Sequence, residues 1–307
     1  MLTSINGKKT TNLGALISII GAMVLPNPAF TQDHGLHNSS KRFTEPAKIS
    51  WLDWSDPREM ERTWRAAAVR IPTRKGQSKL VGIDNLQKEL AGIKRKIPTV
   101  IYLHGCSGFW HGTHKRTKFL ADSGFLVITP ASFARKKYPK SCDVKTNKGG
   151  LYRGSVKIRQ NDAGYAIEMA RKLSLVDGDN IVLIGFSEGG VTAATFEPQN
   201  QQQQVRARIV ESWTCNTPWS EYRGVNAPVS EPVLTLVAER DPWYQNQWTR
   251  GDCTQFLNDV NGSRSIIYRG ELLGSSHALL EFKTVQDDVL EFLKNHLDSS
   301  LYIDDVQ

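Results

Sequence analysis

The chain has 307 residues, 39% of them hydrophobic and 23% charged, and carries a formal net charge of +8. That make-up excludes a disordered or fibrous chain and suits one sizeable α/β domain. The basic clusters Lys94-Arg95-Lys96, Lys115-Arg116 and Arg135-Lys136-Lys137 fall on separate segments without zinc-finger spacing or interleaved aromatics, so they read as solvated faces and nucleic acid is not an expected partner.

At the start, Lys8-Lys9 precedes an apolar run from Leu13 to Leu25, followed by Pro26, Pro28 and Ala29. This reads as a secretory signal peptide over residues 1–31, cut between Ala29 and Gln32. The run is shorter than the about 20 residues of a membrane span, so no stable membrane insertion is expected after cleavage. Loss of Lys8 and Lys9 with no acid leaves a basic mature protein. The four cysteines, Cys106, Cys142, Cys215 and Cys253, are even in number and form no C-x-x-C pair. They therefore point to disulfides in an exported, periplasmic or secreted protein, with no metal and no cofactor.

Beyond an N-terminal extension over 32–59, the pattern alternates strand and helix through 60–307. Trp64 to Ile71 reads as an antiparallel opening strand. Short β-rich runs follow at Thr99–Leu103, Phe125–Ile128, Ile181–Ile184, Arg208–Val210, Val233–Val237 and Ser265–Tyr268. Such runs suit strands covered on both faces. A helix is predicted over 154–173, where Val156, Ile158, Ala163, Ala166, Ile167 and Ala170 make one stripe, and another over 285–297. The glutamine run Gln201 to Gln204 reads as an exposed loop. Alternating β and α predicts a mainly parallel sheet with helices on both sides.

The strand Ile181–Ile184 runs directly into Gly185-Phe186-Ser187-Glu188-Gly189-Gly190. A Gly-x-Ser-x-Gly between strand and helix is a nucleophile elbow: the chain turns sharply, the serine projects above the sheet edge, and glycines remove colliding side chains. A serine needs a base, and the base an orienting carboxylate, in the chain order Ser, acid, His. Asp241 ends the strand Val233–Val237, and His277 lies in the loop before the last helix. Glu239 is the rival acid and Asp252 a more distant one. Oxyanion donors are expected from the backbone of Cys106, in the loop His104-Gly105-Cys106 after the strand at 99, and of Glu188, the residue after the nucleophile. His104 reads as a loop anchor rather than a base.

With these residues in place, the chain resembles the α/β-hydrolase superfamily and, within it, dienelactone hydrolase-like serine hydrolases. The resemblance covers about residues 60–297 and rests on the His104 loop, the Ser187 elbow, the strand end Glu239-Arg240-Asp241-Pro242-Trp243 and the Ser276-His277 loop. It implies a mostly parallel sheet of about eight strands flanked by helices, the strand at 99 beside that at 125. Dienelactone hydrolases carry cysteine at the elbow, so Ser187 is a departure. The short connection from Cys215 to Val233 leaves no room for a large cap domain, and Trp110, Trp213, Trp219, Trp243 and Trp248 are placed to wall an open site.

Loops leaving the same edge of adjacent strands lie close together, which predicts the disulfides Cys106–Cys142 and Cys215–Cys253. The expected activity is hydrolysis of a small-molecule carboxylic ester through an acyl-enzyme. A serine peptidase of related fold and a catalytically silent binding protein are the alternatives.

Overall fold

The computed structural model describes residues 43–298 apart from 74, 75, 92 and 94. The segment read as a signal peptide lies outside the described residues, as do residues 32–42 of the extension. The chain opens with α1 (Trp51–Trp54) and α2 (Pro57–Arg65). Asp56 caps α2 by accepting from the Arg58 amide, with Pro57 at the first helical position. This helix consumes Trp64, so the opening strand β1 spans only Ala68–Pro72. It is antiparallel, as expected, to both its neighbours, β2 (Ser78–Gly82) and β4 (Leu126–Thr129).

The other strands are β3 (Ile97–Leu103), β5 (Val176–Phe186), β6 (Ala207–Glu211), β7 (Val233–Ala238) and β8 (Arg264–Tyr268). All eight form one sheet in the order β2-β1-β4-β3-β5-β6-β7-β8. From β4 to β8 every pairing is parallel. Side chains of β3 and β5 alternate between two cores, as the pleat requires. Ile101, Leu103, Ile181 and Leu183 face one of them, while Val100, Tyr102, Val182 and Ile184 face the other. The first core is closed by α2, α5 (Gly154–Arg171) and α6 (Glu188–Thr195), the second by α4 (His111–Asp122) and α7 (Lys283–His296). α3 (Ile83–Glu89) follows β2.

The predicted helices at 154–173 and 285–297 are thus α5 and α7. β2 and α4 had no clear sequence signal. β2 is a short edge strand, only part-buried. α4 buries Thr113, Arg116 and Thr117 on its inner face, so it shows no apolar stripe. Gln201–Gln203 forms a single 3-10 turn, its first two residues exposed. Among the described residues no large cap interrupts the sheet. Among the described residues no helix is long and apolar enough to cross a membrane.

Candidate active site

The carboxyl ends of β3, β5, β6 and β7 gather the residues singled out by sequence. Ser187 sits between β5 and α6 at φ 56°, ψ −118°, a left-handed conformation that a non-glycine residue holds at a cost of about 1–3 kcal/mol. The glycines around it are sterically required. A Cβ on Gly185 would lie 1.9 Å from the Gly189 carbonyl oxygen, and one on Gly189 would lie 2.1 Å from the Leu103 carbonyl oxygen. Either addition would push β5, α6 and the β3 end apart. The turn is pinned by the Ser187 amide donating to the Glu211 carbonyl at 2.9 Å.

His277 Nε2 lies 2.9 Å from Ser187 Oγ, and its Nδ1 lies 2.7 Å from Asp241 Oδ2. Asp241 is only 1% exposed, and its other oxygen accepts from the Trp243 amide at 3.0 Å. The imidazole is stacked by Trp243, centroids 5.2 Å apart, and flanked by Phe186 at 5.1 Å and Tyr244 at 5.9 Å. Its backbone carbonyl accepts from Ser212 Oγ at 2.7 Å. Such an array can move a proton from the serine hydroxyl to the imidazole while the carboxylate fixes the ring. Glu239 is elsewhere: it is exposed and pairs with Arg240 and Arg269. Asp252 is half-buried, and its side chain accepts from the Thr254 amide.

Behind the serine and histidine stands a buried ion pair. Arg116 of α4 donates twice to Glu211 at the end of β6, at 2.8 Å for each bond, and both side chains are fully buried. The guanidinium also covers the Phe186 ring, 4.1 Å from its centroid. Glu211 Oε1 accepts from the Leu280 amide at 2.8 Å, so one glutamate binds the histidine-bearing loop while its own carbonyl binds Ser187. Arg116 and Arg135, read from the sequence as parts of solvated basic clusters, are instead buried, Arg116 against Glu211 and Arg135 against Asp162, because each guanidinium finds a buried carboxylate; Glu211 was not singled out by sequence. A charge inside an otherwise apolar strand end was the signal available.

His104 is buried with its Nδ1 2.7 Å from the Gly105 carbonyl oxygen. Burial first, then the neighbouring Arg159, hold its imidazole well below the ordinary histidine range, so it stays neutral. Arg159 donates to the His104 carbonyl, and its Nη1 lies 3.5 Å from Glu188 Oε2, which also accepts from Ser141 Oγ at 2.7 Å. These contacts tie the Cys106 loop to the start of α6. The cysteines pair as predicted: Cys106–Cys142 with Cα atoms 6.0 Å apart, and Cys215–Cys253 with Cα atoms 5.0 Å apart.

Ser187, Cys106 and Glu188 line one cavity of about 280 Å³, walled by Trp213, Trp219 and Trp243. Two of the expected tryptophans do not reach it. Trp110 packs against Phe186 and Arg116, and Trp248 is an exposed residue outside the lining. Among the described residues no group of histidine, cysteine, aspartate or glutamate is arranged to hold a metal ion.

Residues 88–265 match the model of the dienelactone hydrolase family. The chain belongs to that family. It shares its fold with a Klebsiella pneumoniae protein described as a dienelactone hydrolase, at TM-score 0.50 and 15% identity, over 67% of this chain and 88% of that one. The dienelactone hydrolase-like promiscuous phosphotriesterase P91 from metagenomic libraries is 16% identical, with TM-score 0.46 over 77% of this chain and 99% of its own. Esterase 2 of Thermogutta terrifontis, solved after phosphorylation by paraoxon, is 12% identical, with TM-score 0.46 over 78% of this chain and 90% of its own. No curated protein matches the chain. Within the family, this member is a hydrolase whose elbow carries serine.

Proposed function

We propose that this protein is an exported serine esterase with Ser187 as nucleophile, His277 as general base and acid, and Asp241 as the carboxylate that orients the imidazole. The observation that carries the reading is the continuous hydrogen-bonded chain from Ser187 Oγ through His277 to the buried Asp241. Ser187 attacks the ester carbonyl and His277 takes its proton. The carbonyl oxygen becomes negative against the amides of Cys106 and Glu188, the latter the first residue of α6, whose helix dipole favours that charge. Collapse expels the alcohol, protonated by His277, and water then hydrolyses the acyl-enzyme by the same steps.

Two disulfides and the N-terminal apolar run support export, with residues 1–31 as signal peptide, 32–59 as an extension and 60–307 as the catalytic domain. The site is reached without a cap, and its cavity of about 280 Å³ suits a small ester. The test is a p-nitrophenyl ester chain-length series beside a peptide panel, on wild type and Ser187→Ala. The variant should stay folded, lose at least about 10³-fold in kcat/KM and no longer react with a fluorophosphonate. Retained labelling by Ser187→Ala would remove the assignment of the nucleophile, and peptide cleavage outpacing every ester would move the reading to a peptidase.

A further inference from the structure

Arg159 of α5 is 1% exposed and reaches both segments that carry the proposed oxyanion donors. Its Nη2 donates to the His104 carbonyl, and its Nη1 lies 3.5 Å from Glu188 Oε2. His104 in turn governs the Cys106 amide. Its neutral imidazole has one N–H, and the atom 2.7 Å from Nδ1 is the Gly105 carbonyl oxygen, which can only accept, so the proton sits on Nδ1. That carbonyl shares a trans peptide with the Cys106 N–H, so holding the one sets the direction of the other. On the opposite side, Glu188 Oε2 accepts from Ser141 Oγ at 2.7 Å, and Ser141 precedes Cys142, which is bonded to Cys106. The contacts therefore close a ring that runs from Arg159 through His104, Cys106, Cys142, Ser141 and Glu188 back to Arg159.

Glu188 brings an electrostatic difficulty. Its amide is the donor beside the nucleophile, yet its own side chain is a carboxylate on the wall of the same cavity, only 9% exposed. Negative charge developing on the ester carbonyl oxygen is repelled by that carboxylate, and burial leaves little solvent to screen the repulsion. Arg159 supplies the compensating cation.

Resting on Ser187 as nucleophile and on Cys106 and Glu188 as oxyanion donors, we infer that Arg159 is a positioning residue of the oxyanion hole, which fixes the spacing of the two donor segments and cancels the Glu188 charge. Arg159 lies outside the cavity lining and acts through these two segments. Its benefit arises only as the oxyanion forms, so it should act on the transition state and leave substrate binding alone.

The experiment compares wild type, Arg159→Lys, Arg159→Met, Glu188→Gln, the double variant Arg159→Met/Glu188→Gln and Ser187→Ala on p-nitrophenyl acetate, with rates taken per folded molecule. Each is also titrated with phenylboronic acid, whose tetrahedral adduct with a serine places an oxygen where the oxyanion forms. Lysine keeps the charge but not the fork that spans two acceptors, so Arg159→Lys should lower kcat about tenfold. Arg159→Met loses both and should lower it about 100-fold, as the loss of an oxyanion donor does. The double variant no longer holds an unpaired anion beside the oxyanion and should recover to about tenfold below wild type, while Glu188→Gln alone should lose about threefold. Affinity for the boronate should fall in the same order, with KM and the acid limb of the pH profile unchanged because the triad is untouched.

If Arg159 serves packing alone, the double variant will be no faster than Arg159→Met, boronate affinity will stay that of wild type, and the inference fails. Should Arg159→Met not fold, Arg159→Lys still decides, since wild-type kcat and boronate affinity in it would overturn the inference. Either result beside an inactive Ser187→Ala overturns the inference alone. An active Ser187→Ala would overturn the nucleophile, and with it the oxyanion hole, on which the inference rests.

Discussion

Strand β6 carries a buried ion pair at each end, and the two do different work. At its start Arg208 donates to Glu231 at 2.7 Å and to the carbonyls of Ala193 and Phe196 that end α6, while Glu231 accepts from the Val205 amide at 3.0 Å. At its end Glu211 holds Arg116 and the Leu280 amide, and through its carbonyl Ser187. Both pairs are dry, and both close helix or loop ends that water cannot reach. The first belongs to the scaffold. The second joins the nucleophile turn to the loop of the base. Burial and charge alone cannot tell such pairs apart; what their free lone pairs hold can.

The sharpest contrast at this sheet edge lies between two acids of one turn, and it carries the largest expected effect. Asp241 is buried against His277, whereas Glu239 is exposed among arginines. Asp241→Asn should lower kcat by about 10³–10⁴-fold because the amide leaves the imidazole without its orienting carboxylate. Glu239→Gln should change it by less than about threefold. Steady-state rates on one ester suffice to measure both, and the reverse ranking would give the acid's role to Glu239.

The two ends of β6 offer the next contrast. Glu211→Gln and Arg208→Met each break a buried charge pair, Arg116 keeping only its bond to Glu281, so each should cost about 3–5 kcal/mol of stability by urea unfolding. Their activities should diverge. Per folded molecule, Arg208→Met should keep kcat within about twofold, and Glu211→Gln should lose about tenfold or more because the Leu280 and His277 segment loosens. Equal losses of kcat would make both pairs mere scaffold, or both part of the site.

The disulfides repeat the comparison. Cys106–Cys142 holds the loop whose Cys106 amide is proposed to face the oxyanion, and Cys215–Cys253 links the loop after β6 to the segment beyond Asp241. With sequence separations of 36 and 38, each closes a loop worth about 4 kcal/mol in the chain-entropy estimate. Double alanine replacement should therefore lower the melting temperature similarly in both cases. Activity at a temperature where both remain folded should fall about tenfold without Cys106–Cys142 and less without Cys215–Cys253. Equal activities would separate the oxyanion loop from its disulfide.

What could be read from the chain follows from where the physics is local. Parallel strands buried on both faces write themselves as apolar runs, so β3 to β8 were legible to within a few residues apart from the start of β5, which begins at Val176 rather than at Ile181. The elbow was legible because its glycines answer to backbone collisions within one turn. α4 was not, since its buried face mixes Leu120 and Ala121 with threonines and Arg116, whose charge is met by Glu211 and Glu281 from distant segments. Tryptophans overstated the cavity, because large rings serve packing as readily as recognition, and Trp110 does the former.

The smallest expected effect lies at the other side of the sheet, at the antiparallel edge. There Arg70 of β1 donates to Thr117 and sits against His114 of α4 at 2.7 Å. Burial, then the charges of Arg70, His111 and Lys118, lower the His114 imidazole from 6.5 to about 4. The neutral ring is the form the folded state holds. Above pH 6.5 the ring is neutral in both states and its contribution to stability is complete. Between pH 6.5 and 4 the unfolded chain takes up a proton that the folded one refuses, so stability falls with falling pH, and below 4 the loss levels off. Because the ring is only partly buried, solvent screening reduces the loss to about 1 kcal/mol. Urea midpoints of wild type and His114→Gln, compared across that window, should converge as the pH drops, while the kcat of His114→Gln stays that of wild type throughout. A constant difference in midpoint would mean that His114 does not titrate against Arg70, and a change in kcat would connect this edge to the catalytic one.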